Sequence, residues 1–161
     1  VNLLPATLMQ KDSAAQIIAL FQRYSVSPEL ITIEVTEEQA FSNADTSRQN
    51  LEALRAFGCA IAIDDFGTGY SSLSYLQKLD VDTLKIDKSF VDTLEYRPLT
   101  PHIIEMAKAL NLATVAEGVE TESQRDWLRQ HGVQYAQGWL YSKALPKEQF
   151  ILWAEHNLHA H

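Results

Sequence analysis

Ala60-Ile61-Ala62-Ile63-Asp64-Asp65-Phe66-Gly67-Thr68-Gly69 is the stretch that decides the fold. An apolar run of strand length ends in two adjacent carboxylates and breaks into a glycine turn that continues through Tyr70-Ser71-Ser72. Alternation along a strand puts Ala60 and Ala62 on the face of Asp64, and small residues there suit a crowded interior. Two carboxylates at a strand end can hold one divalent cation or bridge two. Taken alone, the pair fits a plain turn equally well. The other strand ends decide between these readings.

Ile33 and Val35 share one face of the strand Ile31-Thr32-Ile33-Glu34-Val35, which leaves Glu34 on the other. In Thr83-Leu84-Lys85-Ile86-Asp87 the same parity sets Lys85 opposite Leu84 and Ile86. Ala113-Thr114-Val115-Ala116-Glu117 ends in Glu117, Tyr135-Ala136-Gln137-Gly138-Trp139 carries Gln137, and Asn2-Leu3-Leu4 reads as a strand end. Helical patterns separate these strands. Residues 13–24 place Ile17, Ile18, Phe21 and Tyr24 on one face, and residues 46–57 turn Leu51, Leu54 and Phe57 inward before Gly58. A short helix is expected at 72–79, and Thr100 and Pro101 look like the cap and first residue of a helix running to Asn111. Thr121-Glu122-Ser123-Gln124 is a capping box ahead of a helix that stops before Gly132, and Pro146 introduces a terminal helix carrying Phe150, Trp153 and Ala154.

About six βα units in this alternation require a mainly parallel sheet. A doubly wound sheet gathers its ligands at one crevice, whereas a barrel collects them from the C-terminal ends of many strands. The spread of Asn2, Glu34, Asp64, Asp65, Lys85, Glu117 and Gln137 over separate strand ends points to the α/β barrel. Six units do not close an eight-unit barrel, so one or two strands are expected to lie upstream of Val1.

Glu34, Asp64, Asp65 and Glu117 would repel one another in a shared mouth, and divalent cations reverse that logic. Oxygen ligands and one amide, Asn2, with no suitably placed His or Cys, favour Mg²⁺ or Mn²⁺ over zinc. Asp64 could bridge two ions roughly 3.5–4 Å apart, as in two-metal phosphoryl chemistry. Lys85 would orient water or neutralise a phosphate oxygen, and Gln137 would hydrogen-bond a metal-bound water. Singly, Glu34 reads as an exposed strand residue, Lys85 as a core ion pair, Glu37 as a solvent-facing acid, and Glu120 and Glu122 as complements to a helix dipole. The coincidence of parity at several strand ends outweighs those separate readings.

The 161 residues suffice for one domain with a sizeable core. A net charge of −8 argues against a DNA or RNA polymer as partner. No apolar run reaches membrane-span length, and no signal peptide is visible. The single cysteine, Cys59, starts an apolar strand and reads as a buried, inert thiol, in keeping with a reducing compartment. His159 and His161 fall in a terminal tail read as a disordered end.

Six motifs occur in order: Val1-Asn2-Leu3, Ile33-Glu34-Val35-Thr36-Glu37, Asp64-Asp65-Phe66-Gly67-Thr68-Gly69, Leu84-Lys85-Ile86-Asp87, Ala116-Glu117-Gly118-Val119-Glu120 and Gln137-Gly138. Together they resemble the EAL domain, the bacterial cyclic di-GMP phosphodiesterase module, over essentially the whole chain. The resemblance implies a modified TIM (β/α)8 barrel, with residues 1–161 as the C-terminal two-thirds of a single domain. It implies metal-dependent hydrolysis of cyclic di-GMP to linear pGpG with two Mg²⁺ or Mn²⁺ ions, Ca²⁺ being inhibitory. Asn2, Glu34, Asp64, Asp65 and Glu117 would be metal ligands, with Glu117 serving the second metal or its water. Lys85 would position the attacking water, and Gln137 would hold a metal-bound water. Asp65–Ser72 would be the loop over the site, and Glu37 would anchor that loop and couple it to dimerisation. A homodimer, an upstream sensor domain and a cytoplasmic location, with the parent protein open to inner-membrane anchoring, are further implications.

Three departures from the family pattern stand out. The Glu-Ala-Leu strand, with its metal-binding glutamate and a nearby substrate-binding arginine, is not in this sequence. Leu4 replaces a small hydroxyl residue, and the connection from Phe90 to Ile103 is short. The departures keep two other readings open: a non-catalytic cyclic di-GMP receptor and a protein-interaction domain. They also bear on whether this segment alone is active.

Overall fold

Five parallel strands form one sheet in chain order, so that each connection returns the chain to the next position on the same side of the strand before. The computed structural model describes residues 1–40, 45–67, 80–94 and 99–158. A doubly wound sheet would reverse its strand order at a switch point. The described sheet has no such reversal and instead follows the sequential order of a barrel wall.

The elements follow one another as α1 (Pro5–Leu8), α2 (Ser13–Arg23), β1 (Thr32–Thr36), α3 (Glu37–Ala40), α4 (Asp45–Phe57), β2 (Ala60–Phe66), β3 (Thr83–Ile86), α5 (Lys88–Val91), α6 (Leu99–Ala109), β4 (Ala113–Ala116), α7 (Glu122–Gln130), β5 (Tyr135–Ala136) and α8 (Lys147–Leu158). Ahead of β1, Asn2 makes an isolated parallel bridge with Glu34: Leu3 N–H donates to Glu34 O at 3.0 Å, and Glu34 N–H donates to Val1 O at 2.8 Å. The bridge supplies the sixth strand position read from the sequence. The expected helix at 72–79, the part of the site loop beyond Gly67 and the tail histidines His159 and His161 lie outside the described residues.

The parity argument explains the core. Ile33, Val35, Ile61, Ile63, Leu84 and Ile86 are buried, and they pack into one cluster with helix residues Leu54, Ile104, Ala107 and Leu128. Burial of such aliphatic side chains contributes about 1.5–3 kcal/mol each. The opposite strand face carries Glu34, Ala62, Asp64 and Lys85, so the polar residues share the side turned away from the helix-packed core.

Local chemistry sets several boundaries. The capping box of α7 is complete: Thr121 Oγ1 accepts from Gln124 N–H at 3.2 Å, and Gln124 Oε1 accepts from Thr121 N–H at 3.0 Å. Three expectations shift. Thr100 lies inside α6 rather than capping it, buried with its hydroxyl donating to Phe90 O at 3.3 Å. Tyr24 is exposed at the end of α2, whose buried residues are instead Ser13 and Ala14. The last strand stops at Ala136, because the chain then folds against the β4–α7 connection: Val119 N–H donates to Gln137 O, and Leu140 N–H donates to Val119 O, both at 3.0 Å.

No described helix is long and apolar enough to cross a membrane. Cys59 is buried and free, and burial raises its thiol pKa, as expected for an inert side chain.

Candidate metal centre

Lys85 stands at the middle of an acidic cluster at the C-terminal ends of the strands. Its Nζ lies 2.7 Å from Glu117 Oε1, 2.9 Å from Glu34 Oε2 and 3.1 Å from Asp64 Oδ1. β1, β2, β3 and the end of β4 therefore each contribute one charged group to a single cluster. The register staggers these residues on one strand face: Glu34 is paired with Ala62, two residues before Asp64, and Lys85 with Val115, two before Glu117, and the Lys85 side chain spans the offset. Burial works against the Lys85 charge, but hydrogen bonds to Glu117, Glu34 and Asp64 outweigh it. They hold the ammonium above the ordinary lysine range.

Asp64 and Asp65 should face opposite sides of a regular strand. The structure brings them together through a bulge. Between Ile63↔Leu84 and Phe66↔Ile86, β2 contains one residue more than β3, and Asp65 takes up the excess in the left-handed region at φ 54°. Aspartate tolerates that region better than most side chains, at a cost of about 1–3 kcal/mol. As a result, one carboxylate oxygen from each of Asp64, Asp65 and Glu117 lies within 4.8 Å of the other two.

This donor set fits a hard divalent cation. It consists of carboxylate oxygens, with no imidazole or thiolate in the cluster, which suits Mg²⁺, Mn²⁺ or Ca²⁺ better than zinc. The electrostatics agree. Burial raises the Asp65 pKa, the charges of Asp64 and Asp87 add to the rise, and Lys85 opposes it. Glu117 is raised by burial as well; its hydrogen bond from Lys85 works the other way, and Asp64 and Asp65 push it further up. A site whose carboxylates resist ionisation without a cation gains most from one.

The remaining predicted residues take different places. Gln137 Nε2 donates to Glu117 Oε1 at 2.6 Å, so Gln137 stands against a carboxylate of the cluster. Asn2 is exposed and lies at the backbone register of Glu34, along the edge of β1 opposite β2. Glu34 joins the cluster through Lys85 and is not one of the three carboxylates whose oxygens converge. Glu37 corrects its reading as a solvent-facing acid: it is buried at the start of α3, and its Oε2 accepts from Gly67 N–H at 3.0 Å. It therefore ties β1 to the turn that follows Asp65 and Phe66.

Asp87 was not singled out in the sequence, although its charge acts on Asp65 and its side chain caps α5 by accepting from Ser89 N–H at 3.0 Å. An Asp two residues before a Ser at a strand end is the N-cap signal that would have found it.

A sequence profile of the EAL domain matches residues 1–144. The chain is 56% identical, over 158 residues, to the probable cyclic di-GMP phosphodiesterase PdeB of Escherichia coli (strain K12), covering 98% of this chain and 30% of that protein. The chain spans less than a third of the curated relatives it matches first, 30% of one and 21% of another. Among solved structures, the PaMucR phosphodiesterase in complex with c-di-GMP superposes with a TM-score of 0.88 at 40% identity, over 93% of this chain and 62% of that one. Klebsiella pneumoniae BlrP1 with manganese and cyclic di-GMP gives a TM-score of 0.79 at 34% identity, over 89% of this chain and 38% of that one. The same protein with calcium and cyclic di-GMP gives 0.79 at 35%, over 88% and 37%.

Proposed function

The chain belongs to the EAL domain family, and from that premise we propose that it is the metal-dependent cyclic di-GMP phosphodiesterase module of a longer protein, with residues 1–161 acting as part of one domain. The observation that carries the reading is the convergence of Asp64, Asp65 and Glu117 oxygens at the strand ends, with the Lys85 ammonium against two of the three, Asp64 and Glu117. The substrate class comes from relatives described as cyclic di-GMP phosphodiesterases and from neighbours solved with that nucleotide.

Asp64, Asp65 and Glu117 would hold the cation directly, with Glu34 and Asn2 completing its surroundings from β1 and the strand position before it. Mg²⁺ or Mn²⁺ is the working ion in this reading, and Ca²⁺, a weaker Lewis acid, supports binding rather than turnover. Bound there, the cation would offset the phosphodiester's negative charge and make water acidic enough to attack near neutral pH. The overall step adds water oxygen to phosphorus, breaks the bond to one 3′ oxygen and leaves a proton on that oxygen.

The chain's own groups divide the remaining work. Lys85, charged at neutral pH, donates hydrogen bonds and steadies the attacking water or a phosphate oxygen; its raised pKa makes it a poor base. Glu117, 2.7 Å from the Lys85 ammonium, is placed to accept a hydrogen bond from water beside it. Gln137 fixes the orientation of Glu117. Glu37 holds the turn at Gly67 and so positions the bulge that presents Asp65.

Incubating the protein with cyclic di-GMP and Mn²⁺ tests the reading. Formation of pGpG, abolished by Asp64→Asn in the complete parent protein, is the expected result. Near-normal activity of that variant would sink the metal-site assignment, and tight binding without turnover would favour a receptor instead.

A further inference from the structure

Cyclic di-GMP carries two phosphodiesters, and the metal centre accounts for only one. Lys85 lies among the carboxylates of that centre, 2.7–3.1 Å from three of them, and so serves the first phosphodiester. Another lysine stands three residues further on. Lys88 begins α5, directly after the end of β3, and lines a cavity of about 760 Å³ that shares Gln137 with the metal centre. Trp139, Lys143, Phe150 and Trp153 form other parts of its wall.

Lys88 is fixed in place by the residue beside Glu117. A Cβ built on Gly118 would lie 2.4 Å from Lys88 Cγ and 2.7 Å from Cδ, so the lysine stem crosses the space that any other residue would fill. Gly118 also adopts φ 65°, a backbone region that favours glycine. The stem is therefore packed against the chain next to a carboxylate of the metal cluster. Among the described residues its ammonium is held by exposed partners, Glu120 Oε1 at 2.6 Å and Asp92 Oδ1 at 3.3 Å, with side chains 41% and 47% accessible. Solvent-exposed pairs of this kind contribute roughly 0–1 kcal/mol, so the ammonium can exchange them for a phosphate oxygen without a large loss. Lys143 lines the same cavity, and its Nζ lies over the Trp139 ring, 4.8 Å from the ring centre.

We propose that Lys88 binds the phosphodiester that is not cleaved and so sets the affinity for a cyclic dinucleotide over a substrate with a single phosphate. This rests on the cyclic di-GMP reading above. Lys88 is a positioning residue in this scheme: it holds the distal half of the substrate while the reaction proceeds at the metal centre.

The test is calorimetric titration of cyclic di-GMP in the presence of Ca²⁺, with Ca²⁺ binding measured separately in the absence of nucleotide. Lys88→Met is expected to weaken nucleotide binding tenfold or more, Lys88→Arg to restore it to within about threefold, and both to bind Ca²⁺ as the unaltered protein does. Nucleotide affinity within twofold of normal in Lys88→Met would overturn the proposal. So would a matching loss of Ca²⁺ affinity, which would mark Lys88 as structural support. If the unaltered protein binds Ca²⁺ but no cyclic di-GMP, the functional reading itself fails, and the role of Lys88 falls with it.

Discussion

Replacing Lys85 with methionine removes the cation that lies among Glu34, Asp64 and Glu117 while keeping most of the volume of its stem. The Lys85 side chain is 6% accessible, and its partners are 23%, 17% and 17% accessible. Removing one partner of a buried ion pair costs about 3–5 kcal/mol, and the water that reaches these carboxylates puts the expected loss near the lower end, about 3 kcal/mol at pH 7. The pH dependence follows from direction alone. The folded-state pKa of Lys85 is raised above 10.5, so its contribution is fully present below that value and is lost only as pH rises through the raised one. On the acid side the contribution fades because the carboxylates take up protons, Glu117 early among them since its pKa is already raised. The loss at pH 5 should therefore be smaller than at pH 7. A divalent cation at the same oxygens should also replace part of what Lys85 supplied. Because the lysine and the metal compete for these carboxylates, Lys85→Met should bind Mn²⁺ about tenfold more tightly, which returns about 1.4 kcal/mol at saturating metal. Urea unfolding of both proteins, with and without Mn²⁺ at each pH, measures all of these quantities. An equal loss with and without Mn²⁺, or weaker Mn²⁺ binding by the variant, would refute the view that lysine and metal share one set of oxygens.

Asp65→Asn keeps a residue tolerant of the left-handed backbone and removes a charge whose pKa is raised on folding, so it should stabilise the metal-free protein above the ordinary aspartate range. A melting temperature about 2–4 °C higher in EDTA, with a smaller rise on adding Mn²⁺, is expected by differential scanning calorimetry; an unchanged Mn²⁺ response would remove Asp65 from the ligand set. Glu37→Leu leaves Gly67 N–H without its carboxylate acceptor and should cost about 1–3 kcal/mol, read as faster hydrogen exchange at the Gly67 amide. Unaltered exchange there would show that the turn is held by other contacts. Mn²⁺ affinity should fall with decreasing pH at values higher than those of unperturbed carboxylates, because Asp65 and Glu117 both have pKa values above their ordinary 3.8 and 4.5. Isothermal titration over that range checks the direction, and a pH-independent affinity would contradict the cluster's electrostatics.

The barrel wall was legible in the sequence because it rests on period-two alternation, which needs no knowledge of neighbours. Ile33 and Val35, or Leu84 and Ile86, identify the core face and thereby assign Glu34 and Lys85 to the other. What alternation cannot encode is a departure from it. Asp64 and Asp65 could be named as a metal pair, but their convergence depends on one extra residue in β2 relative to β3, a property of two strands in register. The burial of Glu37 was hidden for a similar reason. Its acceptor role is set by Gly67, thirty positions along the chain, and by local pattern an acid after a strand reads as solvated. The early end of β5 likewise comes from its contact with Val119 in a neighbouring connection.

The same distinction explains why Lys85 is the informative residue of the centre. Four acidic residues from three strand ends would oppose folding if they met without compensation, since each raises the cost of ionising the next. A lysine from β3 on the same face lets the strands assemble around a charge the chain carries itself, before any metal is bound. The cation is then retained beside the metal ligands, where a fixed positive charge can steady water or phosphate. The ion pair that makes the acidic mouth foldable is in this way the same group that gives it a second use. A purely structural lysine would be replaceable by metal without functional loss, whereas this reading requires Lys85→Met to bind Mn²⁺ more tightly and still fail to turn over cyclic di-GMP.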